Sequence, residues 1–154
     1  MVIAKFVTEY SYNQLVVYDS WVDLPGNDWS ETHFNQGFSR TASSVSFRTL
    51  LDFGCAQVQV FDEQYETDES DVRVIEVPFF TGSGKVFVEG PEENSPNAVQ
   101  IQPGLYTLTA AQRANFGDDT LSVRLYFSRI GATSGKSRII VRDAELDPPE
   151  HLLE

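Results

Sequence analysis

The stretch "CAQVQVFD", Cys55–Asp62, alternates apolar and polar residues along its length. Ala56, Val58 and Val60 share one side of an extended chain, and Gln57 and Gln59 share the other. A period of two belongs to a strand with one buried face; a helix would scatter these residues around its axis. "TLSVRLYFSRI", Thr120–Ile130, repeats the pattern, with Leu121, Val123, Leu125 and Phe127 on one face.

Working outward, the β-branched and aromatic runs Val2–Val7, Gln14–Asp19, Ser44–Leu51, Val72–Phe80, Lys85–Gly90, Ala98–Gln102 and Arg138–Asp143 read as further strands. "PGLYTLTAAQ" turns at its Pro-Gly and enters another. This gives roughly ten short strands with turn signals every 8–14 residues. The fold class is all-β, an antiparallel β-sandwich with one short helix. One-sided alternation is what two stacked sheets require. Residues 1–143 are expected to form a single domain, and the acidic, proline-bearing tail 144–154 to fray.

One stretch breaks the pattern: "NDWSETHFNQGFSRTASSVSF", Asn27–Phe47. Ser30 suits a helix N-cap, Glu31 the first turn and Gly37 the C-terminal stop. The helix is expected to pack by Trp29 and Phe34 and to turn acids outward.

The 154 residues carry 23 acids, 11 bases and a net charge of -12. Residues 1–112 hold 16 acids and 5 bases, and residues 113–154 hold 7 and 6. A negative field on that scale opposes direct nucleic-acid binding and favours a basic partner. A single cysteine forbids an internal disulfide. No apolar run reaches the roughly 20 residues of a membrane helix. "MVIAKFVTEY" lacks the pattern of a secretory leader, so a cytoplasmic location is expected.

Residues that do chemistry are scarce. His33 sits in the expected helix and His151 in the tail, and no serine-carboxylate set surrounds either. Cys55 opens a strand and reads as a small, semi-buried side chain. One cysteine and two distant histidines do not make a zinc site. "GATSGKS", Gly131–Ser137, has one residue too few between its glycines for a phosphate loop and runs into a strand, so it reads as a hairpin turn. "TGSGK", Thr81–Lys85, also reads as a turn. No cofactor is expected.

What is plentiful is acid beside aromatic. The run "DEQYETDESD" supplies Asp62, Glu63, Glu66, Asp68, Glu69 and Asp71. Its spacing is not that of a calcium loop and it holds no glycine. It is either a solvated connection or an acidic binding surface. Tyr10, Tyr12, Tyr18, Trp21 and Trp29 gather early, and tyrosine and tryptophan are common interface anchors.

The ordered landmarks "SYNQLVVYD", "DWSETHFNQGFSR", "SVSF", "VIEVPF" and "QPGLYTLT", spanning Ser11–Thr109, resemble the competence protein J family (ComJ, also called Nin). That family contains the inhibitor of the competence-associated DNA-entry nuclease, and members also act as immunity-type partners of nuclease toxins. The resemblance implies an all-β, non-enzymatic protein whose partner is a cognate nuclease. The acidic run, the loop Pro91–Asn97 and the segment after Phe127 are longer than the family pattern. No family motif assigns inhibition to particular residues, so none is carried over. A nuclease groove is lined with Lys and Arg, often around a divalent cation. The partner-binding surface expected here is therefore Asp28, Trp29 and Glu31 together with Asp62, Glu63, Glu66, Asp68, Glu69 and Asp71. The alternatives are a small-molecule or carbohydrate-binding module that uses Trp21 and Trp29 as stacking platforms, or a structural interaction domain.

Overall fold

The computed structural model describes residues 1–92, 96–115, 117, 120–129 and 135–154. Its elements are β1 (Val2–Tyr10), β2 (Gln14–Asp19), α1 (Glu31–Gln36), β3 (Phe38–Thr41), β4 (Ser44–Arg48), β5 (Gly54–Phe61), β6 (Arg73–Thr81), β7 (Lys85–Glu89), β8 (Asn97–Gln100), β9 (Gly104–Asn115), β10 (Thr120–Ser128) and β11 (Arg138–Val141). Two sheets result. The larger runs β1-β5-β10-β9-β6-β11 and the smaller β3-β4-β2-β7-β8. The all-β reading holds. None of the described helices is long and apolar enough to cross a membrane.

The core lies between the sheets and is built by the alternation read in the sequence. Ala56, Val58 and Val60 of β5 and Leu121, Val123, Leu125 and Phe127 of β10 are all buried. They meet Leu15 and Val17 of β2, Val45 and Phe47 of β4, and Val86 and Val88 of β7. Each such side chain contributes about 1.5–3 kcal/mol on leaving water.

Three features depart from expectation. The sandwich is not wholly antiparallel, because β5 and β10 pair in parallel, Val58 opposite Val123. The chain between them crosses to the other sheet and returns, which permits it. Second, β3 follows the helix at once and pairs with β4 through Phe38 and Phe47. Its four residues hold too little alternation to register. Third, Cys55 is exposed, because it lies on the glutamine side of β5.

The tail 144–154 lies against the sandwich. Arg73 has no exposed surface and grips Asp143 at the tail's root. Leu146 is buried in the core beside Ile75 and Gly37. The Gln36 side chain donates to the Leu153 carbonyl at 3.0 Å and accepts from its N–H at 2.9 Å. Gly37 makes this possible: it ends α1 at φ 90°, and a Cβ there would stand 2.8 Å from Ile75 and 3.1 Å from Leu146.

Pro78 sits inside β6 without breaking it. β11 covers only Val74–Glu76, so Pro78 sits where no neighbour needs its missing N–H. Thr81–Lys85 forms a turn between the sheets, held by Asp19, which accepts from the hydroxyls of Thr81 and Ser83. The expected turn Gly131–Ser137 and the loop Pro91–Asn97 lie partly outside the described residues.

Candidate partner-binding surface

Each outer face of the sandwich is covered by one excursion of the chain. The acidic run covers the larger sheet. Tyr126 faces outward there, stacked on Phe61 at 4.6 Å and met edge-on by Tyr65 at 5.3 Å. With Val74 and Ala111 they form a small second core. Asp71 closes it. Its carboxylate is buried and accepts from the Tyr65 hydroxyl at 2.7 Å, from Arg113 at 2.8 Å and from Arg124. Burial and that bond push the Tyr65 phenol up to about 12. Asp68 pairs with Arg113 at 2.7 Å and accepts from the Ser70 N–H, and these contacts hold its carboxyl below the usual range. The amino terminus lies 3.6 Å from Asp62 and 3.0 Å from Glu63. So Asp71 is not displayed to solvent, and Asp62, Glu63 and Asp68 are partly neutralised. Glu66 and Glu69 are exposed and make no ion pair among the described residues.

The break in the strand pattern covers the smaller sheet. Asn27 donates to Ser44 and Ser46, which point outward between the core residues Val45 and Phe47. The Ser39 hydroxyl donates to the Asp28 carbonyl. Ser30 caps α1 as read, in a capping box closed by His33: the His33 N–H donates to the Ser30 hydroxyl at 3.2 Å, and the Ser30 N–H donates to His33 Nδ1 at 3.0 Å. His33 is thereby a capping residue. Phe34 does not pack inward as expected. It is 42% exposed on one side and lies under the Arg48 guanidinium, 3.6 Å from the ring centre, on the other. Arg48 is held in turn by Glu145 of the tail at 3.1 Å.

Beside Phe34 a groove of about 200 Å³ is lined by Tyr12, Asn13, Gln14, Trp29 and Phe34. Tyr12 and Asn13 both adopt left-handed backbone, φ 54° and 57°, in a tight turn closed by Gln14 N–H to the Ser11 carbonyl at 3.0 Å. Asparagine tolerates that region; a bulky ring there is uncommon. The tip of this two-residue hairpin presents Tyr12 with 70% of its surface exposed. The Asn13 N–H donates to the Asp52 carbonyl at 2.8 Å, which brings Asp52 and the exposed Phe53 alongside. Asp28, Glu31 and Asp52 are exposed and make no ion pair among the described residues.

The structure therefore brings Asp28, Trp29 and Glu31 together, and brings Asp62–Asp71 together, but on opposite faces of the sandwich. Asp52 and Phe53 join the first group unforeseen. Their signal was the turn "LLDFG" next to "SYNQ", which becomes informative only once the two turns are docked. The two tryptophans form no single platform. Trp29 stands at the Gln14 end of β2, whereas Trp21 packs on Gly82 at the Asp19 end, roughly 17 Å away for five strand steps. A cleft of about 660 Å³ also opens between the sheets, lined in part by Ile3, Ile101, Tyr106, Phe127 and Arg129.

A two-sheet sandwich with a capped helix on one outer face and a pinned acidic loop on the other defines an all-β sandwich protein. Residues 8–128 match the family described as Competence protein J (ComJ), and the chain belongs to that family. Among solved structures it is similar to ComJ from Bacillus subtilis, described as an inhibitor of the DNA degrading activity of NucA. That likeness has 16% identity and a TM-score of 0.71, over 84% of this chain and 98% of that one. It is also similar to a protein described as crocagin biosynthetic gene J, with 15% identity and a TM-score of 0.54, over 82% of this chain and 96% of that one. No curated protein matches the sequence.

Proposed function

We propose that this protein inhibits a DNA-degrading nuclease of the NucA type by binding its basic, metal-containing groove, and that it works without catalysis of its own. The observation that carries the reading is the disposition of charge on a ComJ-family sandwich. Seven of the eight arginines are held in ion pairs within the fold, while Asp28, Glu31, Glu66 and Glu69 make none among the described residues. Most of the arginine charge is thus matched within the fold, while these carboxylates stand unpaired at the surface. Such a surface stands in for a phosphate backbone and offers no bond to cut. Sheets on both sides of a packed core keep it preorganised, so little entropy is lost on binding. The related Bacillus subtilis protein, described as an inhibitor of a nuclease, supports the same reading.

Two faces offer binding residues in this reading: Asp28, Trp29 and Glu31 on one, and Asp62, Glu63, Glu66, Asp68 and Glu69 on the other, with Asp71 as the pin that shapes the second; one groove takes one of them. The cytoplasm is the proposed location, in keeping with one exposed, unpaired thiol at Cys55. The test is titration calorimetry against a NucA-type nuclease from the same source. A defined stoichiometry and an affinity that falls with salt are expected; no heat and no complex on gel filtration would refute the reading. The cleft beside Arg129 favours a second reading, a small-molecule binding module, which predicts ligand-dependent thermal stabilisation instead.

A further inference from the structure

We infer that the groove between Tyr12, Trp29 and Phe34 receives an arginine or lysine side chain of the nuclease, so that this face, rather than the acidic run, makes the principal contact. The inference rests on the nuclease-inhibitor reading for the identity of the partner and on the groove for its chemistry. Aromatic faces attract a cation through their quadrupole, and neighbouring carboxylates complete an ion pair. The rings line the groove, and the carboxylates sit on the chain beside its lining residues. Tyr12 is 70% exposed and Phe34 42%, and they line one groove with Trp29. Asp28 precedes Trp29 in the chain, Glu31 shares a helix face with Phe34 three residues on, and Asp52 takes the Asn13 N–H on its carbonyl. These three carboxylates make no ion pair among the described residues.

The fold already uses this chemistry at Phe34 itself. The Arg48 guanidinium lies over one face of Phe34 at 3.6 Å, and the ring's exposed portion is available for a second cation. The acidic run is the weaker candidate, because Asp71 is buried and Asp62, Glu63 and Asp68 face cations of the protein itself. The two-residue hairpin turn at Tyr12 and Asn13, closed by the Ser11–Gln14 bridge, fixes the backbone that holds the Tyr12 ring at the groove.

The experiment compares two double variants as inhibitors of the nuclease. Tyr12→Asn with Glu31→Gln removes a ring and a charge and keeps a residue that tolerates the turn. Glu66→Gln with Glu69→Gln removes two charges from the opposite face. Thermal melts confirm that both fold. The expected result is a rise of about tenfold or more in the inhibitor concentration for half-inhibition with the first pair, and under about threefold with the second. Equal effects, or the reverse order, overturn the inference while leaving inhibition itself intact. If the native protein fails to inhibit, the nuclease reading falls and the groove is judged alone. A hexa-arginine peptide is titrated while Trp29 fluorescence is followed in a Trp21→Phe background. A saturating change that Tyr12→Asn with Glu31→Gln abolishes upholds the groove as a cation site. No change, or a change those substitutions leave intact, overturns it.

Discussion

Arg73 and Asp143 meet through two hydrogen bonds, from Nε at 2.7 Å and from Nη2 at 2.8 Å, and Arg73 has no exposed surface. Its remaining nitrogen, Nη1, donates to the Arg48 carbonyl at 2.9 Å. One guanidinium inside the sandwich thus ties the C-terminal segment to the strand that bears Arg48, and Arg48 in turn supports Phe34. Residues 143–154 lie beyond the part of the chain that matches the family, yet they hold the helix of the candidate groove. Asp143→Asn leaves a buried cation short of its partner. It should cost about 3 kcal/mol in urea unfolding, as one-sided removal from a buried pair does. A loss below about 0.5 kcal/mol would show that the tail does not depend on this pair.

Asp71 holds the acidic run in the same way. Asp71→Asn should cost about 3 kcal/mol, because Arg113, Arg124 and Tyr65 all lose the anion they share. Glu66→Gln and Glu69→Gln should stay within about 0.5 kcal/mol. Equal melting temperatures for all three variants would contradict this picture of the loop.

Val58 and Leu125 oppose each other's sheet neighbours in the centre of the core, each at most 1% exposed. Either residue changed to Ala should cost about 2–4 kcal/mol. A near-zero loss in chemical denaturation would refute the facing of β5 and β10.

Acid should unfold the protein through a small set of carboxylates. At Asp143 burial pushes the pKa upward, but the bonds and charge of Arg73, with further backbone bonds, outweigh it and hold the group low. At Asp19 burial again pushes upward and is outweighed by Thr81, Ser83 and the Trp21 N–H. Both groups bind a proton less readily folded than unfolded. Their contribution is complete above the unfolded value, about 3.9, and is lost as pH falls through the folded one. The urea midpoint should hold from about pH 7 to about pH 5 and then drop, and less steeply in Asp143→Asn. An identical acid profile in that variant would remove Asp143 from the set.

The strands were legible because alternation is local: "CAQVQVFD" states its buried and wet sides without reference to any other residue. The helix was legible for the same reason, since Ser30 and Gly37 carry their cap geometry in their own chemistry. What escaped was set by distant partners. Asp71 looks like its acidic neighbours in sequence, and only Arg113 and Arg124, more than forty residues away, single it out. The tail looks polar and proline-rich, and only Arg73, Gln36 and Gly37 give it a seat. The candidate acids were found by composition, but composition does not say which face of a sandwich a loop covers, so two surfaces were read as one.

The central claim is inhibition by charge complementarity, and it is tested most directly by titrating the protein into an active NucA-type nuclease and following plasmid degradation at low and high salt. The account predicts stoichiometric inhibition that weakens as salt rises, since exposed carboxylates are screened within about 10 Å at 0.1 M. Unabated degradation at a micromolar excess of inhibitor, or inhibition indifferent to salt, would contradict it.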